Sequence, residues 1–561
     1  MNDPSPNDPL SEPLTGPLSD PLSDPLSDPL SDPLSAHAAL VEALRDPRCY
    51  PHPVARVEVL RTHISTVLLA GEFAYKLKKP VAFDFLDFTS LERRRHFCEE
   101  ELRLNRRTAP GLYLDVVAVT RGATHPSIGG SGPVLEHAVR MRAFDDADLL
   151  DRRARAGLLT DADIDHLAVR VAAFHRDAPV AEAGGPFGTP ALVARWAQAS
   201  LDQLMRAPLP PREAIQLRAL AEWSRSEFES RSRVFSERLQ LGFVRECHGD
   251  LHLGNIARIG GEPLPFDCIE FNPELRWIDV ISDVAFAFMD LLYHRLEAPG
   301  WRFLNAYLEA GGDYAGLAVL RYYSVYRALV RANVARIRAD QPAADAAARA
   351  RDLDSCARHL ALAQGLAAAR SPVLAITCGV SGSGKTLVAG LVCERLGAIR
   401  IRSDVERKRL FGLEARARAA AAPGGGIYDL DASRRTYDRL ASLAQQVLDA
   451  GYPVIVDAAF LARADRAAFA ALARSRGARF SIIACEAPAQ TLSERVRRRA
   501  QAGEDASDAT AAVLARQIET REALTADERA LASTIETGTD RAQLAAQCER
   551  LAAALAAGPA A

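Results

Sequence analysis

Cys378-Gly379-Val380-Ser381-Gly382-Ser383-Gly384-Lys385-Thr386 lies between an apolar run, Val373–Cys378, and a helix-period segment, Leu387–Leu396. The residues from Gly379 to Thr386 match the spacing G-x-x-x-x-G-K-[ST], in the strand–loop–helix context that the pattern requires. Gly379, Gly382 and Gly384 free the backbone to turn its N–H groups inward around phosphate oxygens, with Ser381 and Ser383 in the same loop and a helix N-terminus behind. Lys385 is placed to bridge terminal phosphates, and the Thr386 hydroxyl to ligate magnesium. Further apolar runs follow at Ile399–Ser403, Val454–Asp457, Phe480–Cys485 and Thr534–Glu536, with helical segments between them and Gly451 closing one. This alternation predicts a parallel sheet covered on both faces.

Two acids stand at predicted strand tips, over the crevice where such sheets bind ligands. Asp404 follows the second strand and can accept a proton from a substrate hydroxyl, or cap the helix that carries Arg407 and Lys408. Asp457 ends the third strand as an acid that positions magnesium. Glu494-Arg495-Val496-Arg497-Arg498-Arg499, before Gly503 and Asp505, reads as a helix entering a lid, so that Arg495 and Arg499 reach a transferring phosphoryl group. A solvated helical face is the alternative. Together these features resemble small-molecule P-loop kinases such as gluconate kinase and the chloramphenicol phosphotransferase or zeta-toxin type, over residues 372–540.

A second motif lies upstream. Cys247-His248-Gly249-Asp250-Leu251-His252-Leu253-Gly254-Asn255 is followed by Pro265-Phe266-Asp267-Cys268-Ile269-Glu270. H-G-D-x-x-x-x-N, with an aspartate twelve residues after the asparagine, resembles the catalytic loop of the aminoglycoside phosphotransferase family. The chemistry fits the spacing: Asp250 accepts the proton of an attacking hydroxyl, while Asn255 and Asp267 hold magnesium. His248 orients the loop, and Asp283 resembles the family's helix-starting acid that braces it. A kinase of this type needs a strand lysine held by a helix glutamate. Lys76, in Phe73-Ala74-Tyr75-Lys76-Leu77-Lys78-Lys79, is preferred to Lys78, and Glu101 is its expected partner. No glycine-rich loop precedes that strand; Arg61-Thr62-His63-Ile64-Ser65 occupies the place. As a whole the chain resembles bacterial bifunctional proteins that join an aminoglycoside phosphotransferase-like domain to a P-loop ATP-binding domain. The resemblance implies two nucleotide sites, ATP and Mg2+ as cofactors, and no particular acceptor.

The expected organisation is a disordered Pro-Leu-Ser-Asp repeat over residues 1–35, a kinase-like α+β domain over 36–368, and an α/β P-loop domain over 369–561. The 561 residues carry 69 basic and 72 acidic side chains, a balance that gives no global field for nucleic acid. No apolar run is long enough for a transmembrane helix. Nine cysteines without CxxC pairs fit a reducing cytoplasm. Only five basic residues are lysines (Lys76, Lys78, Lys79, Lys385 and Lys408), so a lysine marks a place that needs a compact point charge. The expected activity is an ATP- and magnesium-dependent phosphotransferase acting on a hydroxylated small molecule, with no oligomeric state implied. The alternative is a nucleotide-gated regulator in which the kinase-like domain senses and only the P-loop domain turns over ATP.

Overall fold

The computed structural model describes residues 32–83, 86–341, 345–415, 427, 429–502 and 508–557. The repeat before Asp32 lies outside these residues, as do Gly503 and Asp505. One boundary moves. Pro33-Leu34-Ser35, expected within the tail, form the first turn of helix Pro33–Ala43. Proline is tolerated there because its missing N–H has no partner in a first turn.

Short β-branched and aromatic runs build a six-stranded antiparallel sheet. Strands Val57–Arg61, Ser65–Ala70 and Phe73–Lys78 pair in sequence, followed by Val134–Arg142, Tyr113–Arg121 and Pro126–Ile128. Alternation along Phe73–Lys78 sends Lys76 and Lys78 to the face packed by helix Leu91–Asn105, which Ser90 caps through the Arg93 N–H. A helical layer follows, interrupted by the hairpin Ile256–Ile259/Glu262–Pro265. The first half is thus an antiparallel sheet with one helix, leading through a polar hairpin into a helical lobe, the α+β arrangement expected for it.

The C-terminal half carries the expected parallel sheet. Strand Val373–Cys378 is central, with Val454–Asp457 and then Ile399–Arg402 on one side, and Arg479–Glu486 and then Ala532–Glu536 on the other. The order reverses beside the central strand, so a crevice opens above the tips of Val373–Cys378 and Val454–Asp457. Asp540 caps helix Arg541–Ala557 through the Gln543 N–H at 2.9 Å.

One hydrophobic core runs through both halves. Trp301, Phe303, Leu304 and Leu308, on helix Glu297–Gly311, share it with Ile399, Ile401 and Val454 of the parallel sheet. Polar clasps frame this contact. The Asn305 side chain donates to Ala398 O and accepts from Arg400 N, while Arg302 meets Glu394 at 3.1 Å. Glu309 accepts from Arg400 at 3.0 Å and from Arg402 at 2.6 Å.

Candidate functional sites

In the first half, three distant segments converge on two ammonium groups. Lys76 Nζ donates to Glu101 Oε1 at 2.8 Å and bonds Asp267 Oδ1; Lys78 Nζ donates to Glu101 Oε2 at 2.8 Å and bonds Glu270 Oε1. Glu101 is fully buried and holds both lysines at once. Burial pushes its carboxyl up, yet Lys76 and Lys78 outweigh that and hold it at about 2. For Lys76, burial disfavours the charge but Asp267 and Glu101 reverse the balance, raising its pKa well above the usual lysine value. Burial pushes Glu270 upward against the pull of Lys78. The sequence favoured Lys76 over Lys78; the fold brings both onto Glu101.

The polar loop beside them is braced from below. Asp283, in the first turn of helix Val280–Tyr293, accepts from His248 N at 2.7 Å and Gly249 N at 2.8 Å. His175 backs Asp283 at 3.4 Å, and Asp290 accepts from Leu253 N at 2.8 Å. Gly249 turns at φ +86°, where an added Cβ would stand 2.7 Å from Leu275 O. His248 meets Phe266 O at 2.9 Å, so it ties the loop to the hairpin's return. Asn255 Nδ2 donates to Asp250 Oδ2 at 2.9 Å, which leaves the Asn255 amide oxygen available to a cation. Burial would raise Asp250, but His252 and Arg331 outweigh it and keep the carboxyl well below the usual range. Asp267, expected on the returning strand, lies beyond it: that strand ends at Pro265, and Asp267 takes φ 62°. An aspartate tolerates this left-handed turn better than most residues, and the turn delivers its carboxylate to Lys76.

In the second half the glycine loop leads into helix Lys385–Leu396. Gly382 turns at φ +83°, and a Cβ there would stand 2.8 Å from Leu492 O. Lys385 Nζ donates to Val380 O at 2.8 Å, folded over its own loop. Burial lowers its pKa, and Asp457 and Asp404 oppose that while Arg499 adds to it, so these four charges share one neighbourhood. Asp457 is buried at the tip of its strand, and Asp404 lies in the first turn of helix Ser403–Leu410. Thr386 follows Lys385 in the first turn of its helix. Arg495 is engaged by the loop itself: it donates to Gly382 O at 3.2 Å, to Thr537 Oγ1 at 2.9 Å and to Thr537 O at 2.6 Å. Gln517 accepts from Ser381 N at 2.7 Å, and Thr537 donates to Ser383 O at 3.0 Å. Gln517, Thr537 and Arg331 have no motif spacing, and no signal in the sequence marks them.

The donor sets suit the cofactors that the motifs imply. Asp267 with the Asn255 amide oxygen, and Thr386 with Asp457, offer the hard oxygen ligands that magnesium takes. A side chain at Gly382 would collide with helix Ala489–Ala502, so glycine lets the loop pack against that helix.

Comparison with known proteins places these sites in context. A family model described as an AAA domain matches residues 374–524. The uncharacterized proteins Rv2004c of Mycobacterium tuberculosis and Mb2027c of Mycobacterium bovis are each 32% identical over 473 residues, covering 84% of this chain and 92% of theirs. Among solved structures, a gluconokinase from Sinorhizobium meliloti aligns with 34% of this chain and 95% of its own, at 20% identity and a TM-score of 0.25. A choline/ethanolamine kinase family protein from Mesorhizobium loti aligns with 59% of this chain and 99% of its own, at 15% identity and a TM-score of 0.34.

Proposed function

The chain belongs to the family of the mycobacterial protein Rv2004c, and from that premise and the geometry of its two sites we propose an ATP- and magnesium-dependent phosphotransferase acting on a hydroxylated small molecule. In this reading residues 33–368 belong to the kinase-like unit and the P-loop unit follows from residue 369. The observation that carries the reading is the convergence of Lys76, Glu101 and Asp267 beside the Asp250–Asn255 loop.

In the first unit Asp250 is the base. Its depressed pKa keeps it ionised, and Asn255 fixes one carboxylate oxygen so that the other can take the acceptor's proton. Lys76 neutralises phosphate charge, held in place by Glu101. Asn255 and Asp267 would hold magnesium, which when bound offsets the negative charge between phosphates. Lys78, locked between Glu101 and Glu270, holds Glu101 rather than reaching a ligand.

In the P-loop unit the loop amides and Lys385 would bind the terminal phosphates, with Thr386 and Asp457 holding magnesium. Asp404 is the acceptor-side base and Arg499 the arginine on the phosphoryl group. Arg495 acts as a positioning residue, because its bonds to Gly382 and Thr537 fix the loop. The nine cysteines are all free thiols, which supports a reducing compartment such as the cytoplasm.

A metabolite screen for ATP-dependent gain of one phosphoryl group tests the proposal, run on the full chain and on variants silenced at Asp250 or Lys385. No transfer by either single variant, with ATP still hydrolysed by the Asp250 variant alone, would favour the gated-regulator reading. That second reading draws on the Glu309–Arg402 contact, which joins the first unit to the P-loop crevice.

A further inference from the structure

Helix Ser403–Leu410 carries four charged side chains beyond Asp404, and three of them have evident structural work. Glu406 pairs with Arg409 and lies 3.3 Å from Arg439, while Arg407 donates to Ile427 O at 2.9 Å. The fourth, Lys408, is 0% exposed, and its Nζ donates no hydrogen bond among the described residues. Its facing charge is Asp508, at 3.4 Å, on the segment that follows helix Ala489–Ala502. A fully buried ammonium whose donors find no acceptor among the described residues is expensive, and an apolar residue of similar length would fill the space without that cost.

The chain also uses lysine sparingly. Of its five, Lys76 and Lys78 hold the first site and Lys385 the second, and Lys408 is as buried as Lys78. Lys408 stands four residues after Asp404 on the same helical face, so it points where Asp404 points, one turn further from the helix start.

We propose that Lys408 is the anion-binding residue of the P-loop unit's acceptor site, and that the acceptor of this site bears a carboxylate, sulfate or phosphate group. This rests on Asp404 as the acceptor-side base. The anion would sit about 5–6 Å along the helix from the hydroxyl that is phosphorylated, the rise of one turn. Asp508 fills the anion's place in the structure and is displaced when the acceptor binds.

The test uses the full chain with saturating MgADP, sulfate as the probe, and sodium chloride of equal ionic strength as the reference, followed by thermal unfolding. Sulfate is expected to protect the wild type beyond the chloride reference. Lys408→Met should weaken the apparent sulfate affinity at least tenfold, Lys408→Arg should retain it, and Asp508→Asn, which removes the competing acid, should strengthen it severalfold. An identical sulfate response in the wild type, Lys408→Met and Asp508→Asn overturns the inference. Should Lys408→Met fail to fold, Asp508→Asn decides alone. Acetate in place of sulfate distinguishes a carboxylate-bearing acceptor from one bearing sulfate or phosphate. MgADP protection is read first, with Lys385→Ala as its control. Its absence removes the P-loop reading itself, whereas its presence without a Lys408-dependent sulfate response removes only the anion site.

Discussion

Glu309 accepts from Arg402 Nη1 at 2.6 Å, and Arg402 Nε lies 3.8 Å from Asp457 Oδ2. A glutamate from the first half of the chain thus competes with the proposed magnesium acid of the second half for one guanidinium. Arg400 completes the group at 3.0 Å from Glu309, and the two arginines hold the Glu309 carboxyl below its usual range against the upward push of burial.

Glu309→Ala should therefore weaken both stability and nucleotide binding in the P-loop half. Two partly buried arginines each lose one carboxylate partner, at a cost of about 1–3 kcal/mol. Arg402 is then left to Asp457, which reduces the negative charge available to magnesium. Calorimetric titration of MgADP into the variant should show a severalfold loss of affinity, and Glu309→Gln a smaller one. Equal affinities across the three proteins would remove the link.

Lys385→Ala should abolish nucleotide binding by the P-loop half while leaving the fold intact, since among the described residues its Nζ hydrogen-bonds only its own loop carbonyl. Titration of MgADP against an Asp267→Asn background isolates this site. Retained affinity there would sink the assignment of Lys385.

In the first half, two substitutions should separate. Asp250→Asn should slow transfer on the order of 10²–10⁴-fold and keep ATP binding, because asparagine preserves the contact to Asn255 but cannot take a proton. Asp267→Asn should weaken MgATP binding itself and loosen Lys76. Both are measured with the second site silenced by Lys385→Ala. A first site in which Asp250→Asn changes nothing, while Asp267→Asn abolishes binding, is a sensor.

Stability should fall on the acid side of neutrality. Burial holds His359 at about 3 and His37 at about 4, both below the free histidine value of 6.5. Each binds protons more readily when unfolded, so its contribution is lost as pH drops from about 6.5 toward the folded value. Glu101, held at about 2, adds a second loss below about 4.5. Melting temperature measured from pH 8 to pH 4 should decline below pH 6.5, and His359→Phe should flatten that decline. A profile unchanged by His359→Phe would exclude this histidine as a source.

How much of this was legible in the sequence depends on whether a feature is local. The central strand Val373–Cys378 and strand Val454–Asp457 fall where their apolar runs predicted, and the glycine loop was readable because phosphate chemistry fixes its spacing. Asp250 and Asn255 stand in one loop for the same reason. The start of strand Val57–Arg61 was not legible, since Pro51 and Pro53 before it forbid ladder hydrogen bonds without marking where pairing resumes. Glu101 was one of three consecutive glutamates, and only helix phase against the sheet could single it out. Lys78 meeting Glu270 spans 192 positions, and Glu309 meeting Arg402 spans 93; neither leaves a local pattern.

The core shared between the two halves also has a consequence for synthesis. Helix Glu297–Gly311 leaves the ribosome before strands Ile399–Arg402 and Val454–Asp457 exist to cover Trp301 and Leu304. At about 5–20 residues per second that apolar stripe stays wet for several seconds or more, a window in which chaperones can bind. Nascent chains stalled shortly after residue 370 should be retained by trigger-type chaperones and cleaved near helix Glu297–Gly311, and chains stalled after Ala557 should not; equal protease resistance of the two would show that the first half closes its core unaided.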